Sequence, residues 1–326
     1  MPREMMYAEA MHAAIMEEMQ RDSSVIFYGQ NLGMTERDPM VRKFGKNRVR
    51  ITPISETAEI GMAVGAALAG LRPVVELYMS EFMLVAMDQV VNEAPRLRYM
   101  SGGQVSVPLV LKAGYGFAAG WAGQHSNCIY HTLMGIAGLK VAVPSTAADA
   151  KGLMSAAIRD NNPVVYLHHY LLSLEKGEVP DGDYVIPFGL ADVKRPGTDV
   201  TIVATGWTVK LSLAAAERLA QEGISAEVID PRTLAPLDME TILKSVKKTG
   251  RLVLVDQAPK HASAAAIIAG EVAEHGFEHL KAPVRMVTAL DTSIPYSEPL
   301  EKFVLPSEDK IVNAVRSILL RHAVAV

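Results

Sequence analysis

Short, nearly continuous apolar runs alternate along the chain with stretches whose apolar residues recur every three or four positions. The runs SVIFYG (24–29), RPVVELY (72–78), VPLVLKAG (107–114), LKVAVPS (139–145) and PVVYLHH (163–169) predict strands. They lack polar alternation, the mark of a parallel sheet covered on both faces. Helical patterns lie between them over Glu56–Leu71, Phe82–Tyr99 and Ala147–Arg159, and the opening MPREMMYAEAMHAAIMEEMQRD reads as a first amphipathic helix. The rhythm is βαβ. From about Glu175 the chain becomes dense in Gly, Pro and charge, as expected of a crossing between domains. A second alternation follows. Strands fall within DVTIVATG (199–206), ISAEVID (224–230), RLVLVDQ (251–257) and PVRMVTA (283–289). Helices fall at Thr208–Glu222, Asp238–Lys248, Ala264–His275 and Ser307–Arg321. The pattern predicts two α/β domains, residues 1–175 and 199–326, joined by a linker over 176–198. The second is the smaller, with about four strands.

Composition narrows the class. The chain has 326 residues, 49% of them hydrophobic, enough for two cores. Its net charge is -4 and no basic stripe is visible, so neither nucleic acid nor an anionic membrane is an expected partner. Cys128 is the only cysteine, which excludes an internal disulfide framework and fits a reducing compartment. The N-terminus has no apolar core followed by a small-residue cleavage site. The longest uncharged run, 113–139, contains Gln124, His125, Ser126, Asn127 and His131, too polar for a lipid span. A soluble cytoplasmic protein is expected.

Several candidate motifs carry little. Gly114, Gly116 and Gly120 follow a strand, but no acid stands about twenty residues on to hold a ribose, so a nicotinamide site is not expected. The nine histidines show no spacing suited to zinc. His168 and His169 are strand neighbours and point to opposite faces. His125 differs: GQHSN lies on a glycine-rich irregular segment after a strand, where active-site loops of α/β sheets collect. Glu56 and Glu59 open the helix after TPIS. Ser55 can cap that helix, and acids in its first turn are favoured by the dipole. A catalytic acid kept in a dry site is the other reading, and spacing alone leaves both open.

The segments TPISETAEIGMAVGAALAGLRPVVEL, MDQVVNEAPRLRYMSGG, GQHSN, GLKVAVPSTAADAKGLMSAAIRDNNPVVYLHH and IPYSEPLEKFVLPSEDKIVNAV together resemble the β subunit of heteromeric thiamine-diphosphate E1 enzymes. This is the acetoin, pyruvate and branched-chain 2-oxoacid dehydrogenase group, and the resemblance covers essentially the whole chain in order. It implies a transketolase-like pyrimidine-binding domain followed by a transketolase C-terminal domain. It also implies half of an active site. The GDG…NN motif that holds the diphosphate and Mg²⁺ is lacking here and belongs to the α subunit of an α2β2 heterotetramer. A lipoyl-bearing E2 is the implied acyl acceptor, and acetoin or a related α-hydroxyketone the implied small-molecule substrate. A pyruvate or branched-chain oxoacid E1 is the alternative, and a non-catalytic binding subunit a remote one.

The resemblance also assigns residues. Glu56 matches the family acid that hydrogen-bonds the cofactor's pyrimidine N1′, with Ile54 and Ile60 as apolar setting. Phe82 matches the aromatic that stacks on the ring, a core aromatic being the alternative. His125 matches the histidine that faces the substrate-derived adduct. A structural potassium ion is implied on the carbonyls of Leu109, Ala157 and Ile158 with Asp160 and Asn162, although a simple helix stop before Pro163 explains RDNNP equally. The chain departs from the family pattern at Trp121, Tyr130, His131, Gly135, Ala137 and His261–Ala266, and the first three lie close to His125 in sequence, which leaves the substrate open.

Overall fold

A computed structural model describes residues 2–30, 38–116, 120–261 and 263–319. The chain forms two compact units. The first comprises residues 1–115 and 132–188, the second 116–131 and 189–326.

The first unit opens with β1 (Arg3–Met6) and α1 (Tyr7–Arg21). Then come β2 (Val25–Gly29), α2 (Pro39–Phe44), β3 (Val49–Ile51), α3 (Glu56–Leu68), β4 (Arg72–Met79), α4 (Leu97–Met100) and β5 (Val110–Tyr115). The chain leaves this unit through α5 (Gly123–Ser126) and returns along α6 (Tyr130–Met134). It closes with β6 (Lys140–Ala142), α7 (Ala147–Arg159), β7 (Val164–His169) and β8 (Lys176–Val179). Six strands form a parallel sheet in the order β6-β7-β5-β4-β2-β3. The chain reverses direction away from β2 and β4, as in doubly wound sheets. β8 falls in the stretch expected to be a linker and pairs antiparallel with β1.

Two helices differ from expectation. α3 stops at Leu68, because Gly70 takes a φ of 91° and the N–H groups of Gly70 and Leu71 return to the carbonyls of Ala67 and Ala66. The helix expected over Phe82–Tyr99 is not one helix. It divides into a 3₁₀ segment (Ser80–Ala86), a π turn (Gln89–Glu93) and α4. Pro95 is the physical reason for the break after the π turn: without an N–H it cannot bond one turn back, and Ala94 donates to Gln89 five residues away.

A polar cluster runs through the centre of this sheet. Lys112 of β5, 2% exposed, ion-pairs with Glu76 of β4 at 2.6 Å and lies 3.3 Å from His168 Nε2 of β7. Burial first, then the Lys112 charge, holds the His168 imidazole well below its ordinary range.

The second unit contains β9 (Asp192–Arg195), β10 (Val200–Ala204), α8 (Trp207–Gln221), β11 (Ala226–Asp230), β12 (Thr233–Ala235), α9 (Met239–Thr249) and β13 (Leu252–Pro259). It ends with α10 (Ala264–His275), β14 (Arg285–Ala289), α11 (Glu298–Val304) and α12 (Glu308–Leu319). Its sheet runs β14-β13-β10-β11-β9, five strands rather than the four expected, parallel except for the edge strand β9. Alternate residues of each strand serve opposite faces. Ile202, Val228 and Val253 pack with Val315 and Ile318 of α12, while Val203, Ile229 and Leu254 pack with Ile242 of α9 and Ile268 of α10. β9 escaped the hydrophobic pattern because DVKR is mostly charged, as edge strands often are. Among the described residues no helix is long and apolar enough to cross a membrane.

Candidate active site

The entry to α3 concentrates buried carboxylates. Ser55 occupies the cap position, but its side chain makes no capping hydrogen bond, against the sequence reading. Only its carbonyl is engaged, by the Glu59 N–H at 2.9 Å. Glu56 is 8% exposed and Glu59 1%. The helix dipole favours acids here, yet two buried carboxyls within one turn exceed what capping explains. Glu59 is the more enclosed. Its Oε2 accepts from Gln30 Nε2 at 2.9 Å, its Oε1 from Thr52 Oγ1 at 2.5 Å, and its carbonyl from the Tyr28 hydroxyl at 2.9 Å. Burial raises the Glu59 carboxyl above its ordinary range and the Glu56 charge adds to that, while the Thr52 and Gln30 hydrogen bonds oppose it. Burial, and then Glu59, likewise pushes the Tyr28 hydroxyl up.

The first turn of α3 is fastened to the segment bearing Phe82. Thr57 Oγ1 donates to the Val85 carbonyl at 3.1 Å, and α3 packs along the 3₁₀ segment. Phe82 is half-buried there. Ile60 is fully buried, whereas Ile54 is 70% exposed, an apolar side chain flanking the acid on the chain's surface. The sequence reading missed Gln30, Thr52 and Tyr28 as partners of Glu59. Their spacing of up to 31 residues gives no local signal.

His125 lies in the second unit, on the segment 116–131, of which residues 117–119 fall outside the described residues. The segment is fixed from behind. The Gly120 N–H donates to Glu301 Oε2 at 3.3 Å, and a Cβ on Gly123 would sit 3.3 Å from Ser293 Cβ. Ala122 has φ 60° and ψ -168°, a region suited to glycine. It turns the chain into α5, the single turn carrying Gln124, His125 and Ser126. The half-buried His125 ring lies 5.8 Å from the Trp121 indole at an interplanar angle of 60°. Past this turn the Tyr130 hydroxyl donates to the Asp256 carboxylate. Asp256 also accepts from the N–H groups of Ala258 at 2.8 Å and of Ala265, at the start of α10, at 3.0 Å. Burial raises this carboxyl and those hydrogen bonds oppose the shift. Burial lowers the neighbouring His131, whose Nδ1 has no hydrogen-bond partner among the described residues. Asp256 escaped the sequence reading. Its one local sign was an acid at the end of an apolar strand.

The residues expected to hold potassium lie together where α7 ends beside β5 and β7. The Leu109 carbonyl accepts from the Val164 N–H at 2.8 Å and the Ala157 carbonyl from the Asp160 N–H at 3.3 Å. Arg72 Nη1 donates to the carbonyls of Ile158 at 3.1 Å and Asp160 at 3.0 Å. Asp160 Oδ1 accepts from the Asn162 side chain at 2.9 Å, and Lys140 pairs with Oδ2. The donors are all oxygens, the class a hard cation prefers, although Arg72 and Lys140 already bring positive charge to the Ile158 carbonyl and the Asp160 carboxylate. Among the described residues no cluster of three or more His, Cys, Asp or Glu could hold a metal.

Comparison with known proteins identifies the family. Residues 3–172 match the pyrimidine binding domain of transketolase and residues 189–311 the transketolase C-terminal domain. The β subunit of acetoin:2,6-dichlorophenolindophenol oxidoreductase from Bacillus subtilis is 41% identical over 98% of this chain and 98% of its own length. The β subunit of the pyruvate dehydrogenase E1 component from Rickettsia bellii is 44% identical over 95% of this chain and 97% of its own. The chain belongs to the transketolase-like family of E1 β subunits. This family makes up thiamine-diphosphate-dependent oxidoreductases, and the chain is a component of such an enzyme. The fold agrees with a solved split-gene transketolase, an inactive β4 tetramer, at a TM-score of 0.80 and 24% identity over 96% of this chain and 98% of that one. Within the E1 β frame, Glu56 and Phe82 belong to the pyrimidine-binding domain.

Proposed function

We propose that this chain is the β subunit of an acetoin dehydrogenase E1 component. With an α subunit, in an α2β2 assembly, it splits an α-hydroxyketone and passes the acyl group to the lipoyl arm of E2, whose disulfide takes up the two electrons. The observation that carries the reading is Glu56, buried at the mouth of α3 and tied through Thr57 to the Phe82 segment. That arrangement fits an aminopyrimidine: a carboxyl for a ring nitrogen, an aromatic for the ring face, and small residues behind. Thiamine diphosphate, when bound, supplies a nucleophilic carbon that no side chain offers.

The chain's own groups do the rest. Glu56 would hold the pyrimidine by its N1′ and move a proton at that atom. Phe82 would hold the ring by stacking. His125, stiffened by Trp121 and the Ala122 turn, gives and takes a proton at the substrate oxygen through its imidazole. The diphosphate and Mg²⁺ fall to the α subunit. A potassium ion on Leu109, Ala157, Ile158, Asp160 and Asn162 would join the end of α7 to β5.

Alignment of the acetoin relative along 98% of both chains supports the substrate. A pyruvate E1 is the second reading, favoured by the 44% identity of that relative. Product analysis of the reconstituted αβ complex with E2 separates them. Acetaldehyde and acyl-E2 from acetoin support the first. Carbon dioxide from pyruvate, with acetoin untouched, overturns it.

A further inference from the structure

We propose that Glu59 is a positioning residue that governs the proton on Glu56. This rests on the reading that Glu56 exchanges a proton with the pyrimidine. Three residues separate the two acids on one helix, so they share a face. Glu59 is 1% exposed, yet both its oxygens have partners in Gln30 and Thr52. Both partners are reversible: an amide can turn its oxygen inward, and a hydroxyl can accept as well as donate. The nest can therefore partner Glu59 as carboxylate or as acid. A structural carboxylate needs no such adaptability, and an apolar residue would fill the place without the cost of burying charge.

The surroundings focus the effect on Glu56. Of the ionisable groups packed around Glu59, Tyr28 of β2 is pushed toward its neutral form. On β4, Glu76 is paired with Lys112. On the 3₁₀ segment, Glu81 accepts from Ser80 Oγ at 3.1 Å. Arg50 of β3 is exposed and donates to the Lys46 carbonyl at 3.1 Å. Among the described residues, Glu56 is the acid whose charge bears on Glu59. While Glu59 is ionised, its charge opposes a second charge on the same face of α3.

Glu59→Gln removes that opposing charge. In the αβ complex the limb of the pH–rate profile that follows Glu56 should move to lower pH by about one unit, an interaction reduced by solvent from the bare Coulomb value. An independent readout uses the cofactor-free complex. Ionisation of the buried Glu59 makes its thermal midpoint fall as pH rises, and Glu59→Gln should abolish that fall. Glu56→Gln should shift the same fall to lower pH, because Glu59 then ionises without a charged neighbour. An unchanged rate profile and an unchanged midpoint curve in Glu59→Gln, with Glu56→Gln inactive, overturn the proposal and leave the role of Glu56 standing. Full activity in Glu56→Gln overturns the reading of Glu56 itself. The reciprocal shift of the thermal midpoint still decides the coupling, including where Glu59→Gln fails to fold.

Discussion

Single side chains carry the chemistry, and each is best tested by a change that keeps its shape. Glu56→Gln keeps size and burial but cannot exchange a proton. The turnover of the αβ complex should fall about 10²–10⁴-fold, the usual contribution of a general acid–base group, with the fold unchanged by circular dichroism. Trp121→Ala should lower kcat more than it raises KM, because the indole holds the His125 ring and needs no contact with free substrate. Equal loss in kcat and rise in KM would point to substrate contact instead. Tyr130→Phe removes one of three donors from the buried Asp256. It should cost about 1–3 kcal/mol in denaturant unfolding. A buried acid at the start of α3 was legible from the TPISE start, while the role given to Glu56 comes from the family resemblance. The nest around Glu59 was not, because Gln30 and Thr52 reach it only once β2 and α3 are packed.

At the scale of elements, the first sheet has a titratable centre. In the folded state His168 resists protonation beside Lys112, and burial lowers His12 in the same way. The unfolded chain takes up those protons near the ordinary histidine value of about 6.5. It therefore binds more protons than the folded chain below that pH, and stability falls as pH drops. Each histidine adds a slope of up to about 1.4 kcal/mol per pH unit in that window. His168→Leu should flatten the dependence of stability on pH between 7 and 5 in urea titrations at stepped pH, ~7 and ~5 marking the span over which histidine titrates. An unaltered slope would place the proton uptake elsewhere. The strands and most helices were legible because their side-chain periods follow burial. The divided segment 80–100 was not, because Pro95 breaks a regular bonding pattern that hydrophobicity alone continues through.

For the whole molecule, the half-site reading makes a sharp claim. This chain alone should bind Mg²⁺ and thiamine diphosphate weakly by calorimetry, and the αβ complex tightly; tight binding by this chain alone would sink it. The proposed potassium ion belongs to the same scale, since its five donors would come from the residue before β5, the end of α7 and the turn before β7. The thermal midpoint of the complex should rise in potassium relative to a bulky ammonium salt at equal ionic strength, following the mass action of a ligand that binds only the folded form.

By itself the sequence determined the two α/β units, the parallel order of apolar strands, the candidate acid at the start of α3 and the histidine loop. These depend on local periodicity and on motifs of a few adjacent residues. Tertiary structure alone decided that Ser55 does not cap, that Glu59 is the more enclosed acid, that Tyr130 donates to Asp256, and that charged β9 completes the second sheet. Those outcomes depend on which distant side chains meet and how much water their meeting excludes, and a local pattern encodes neither.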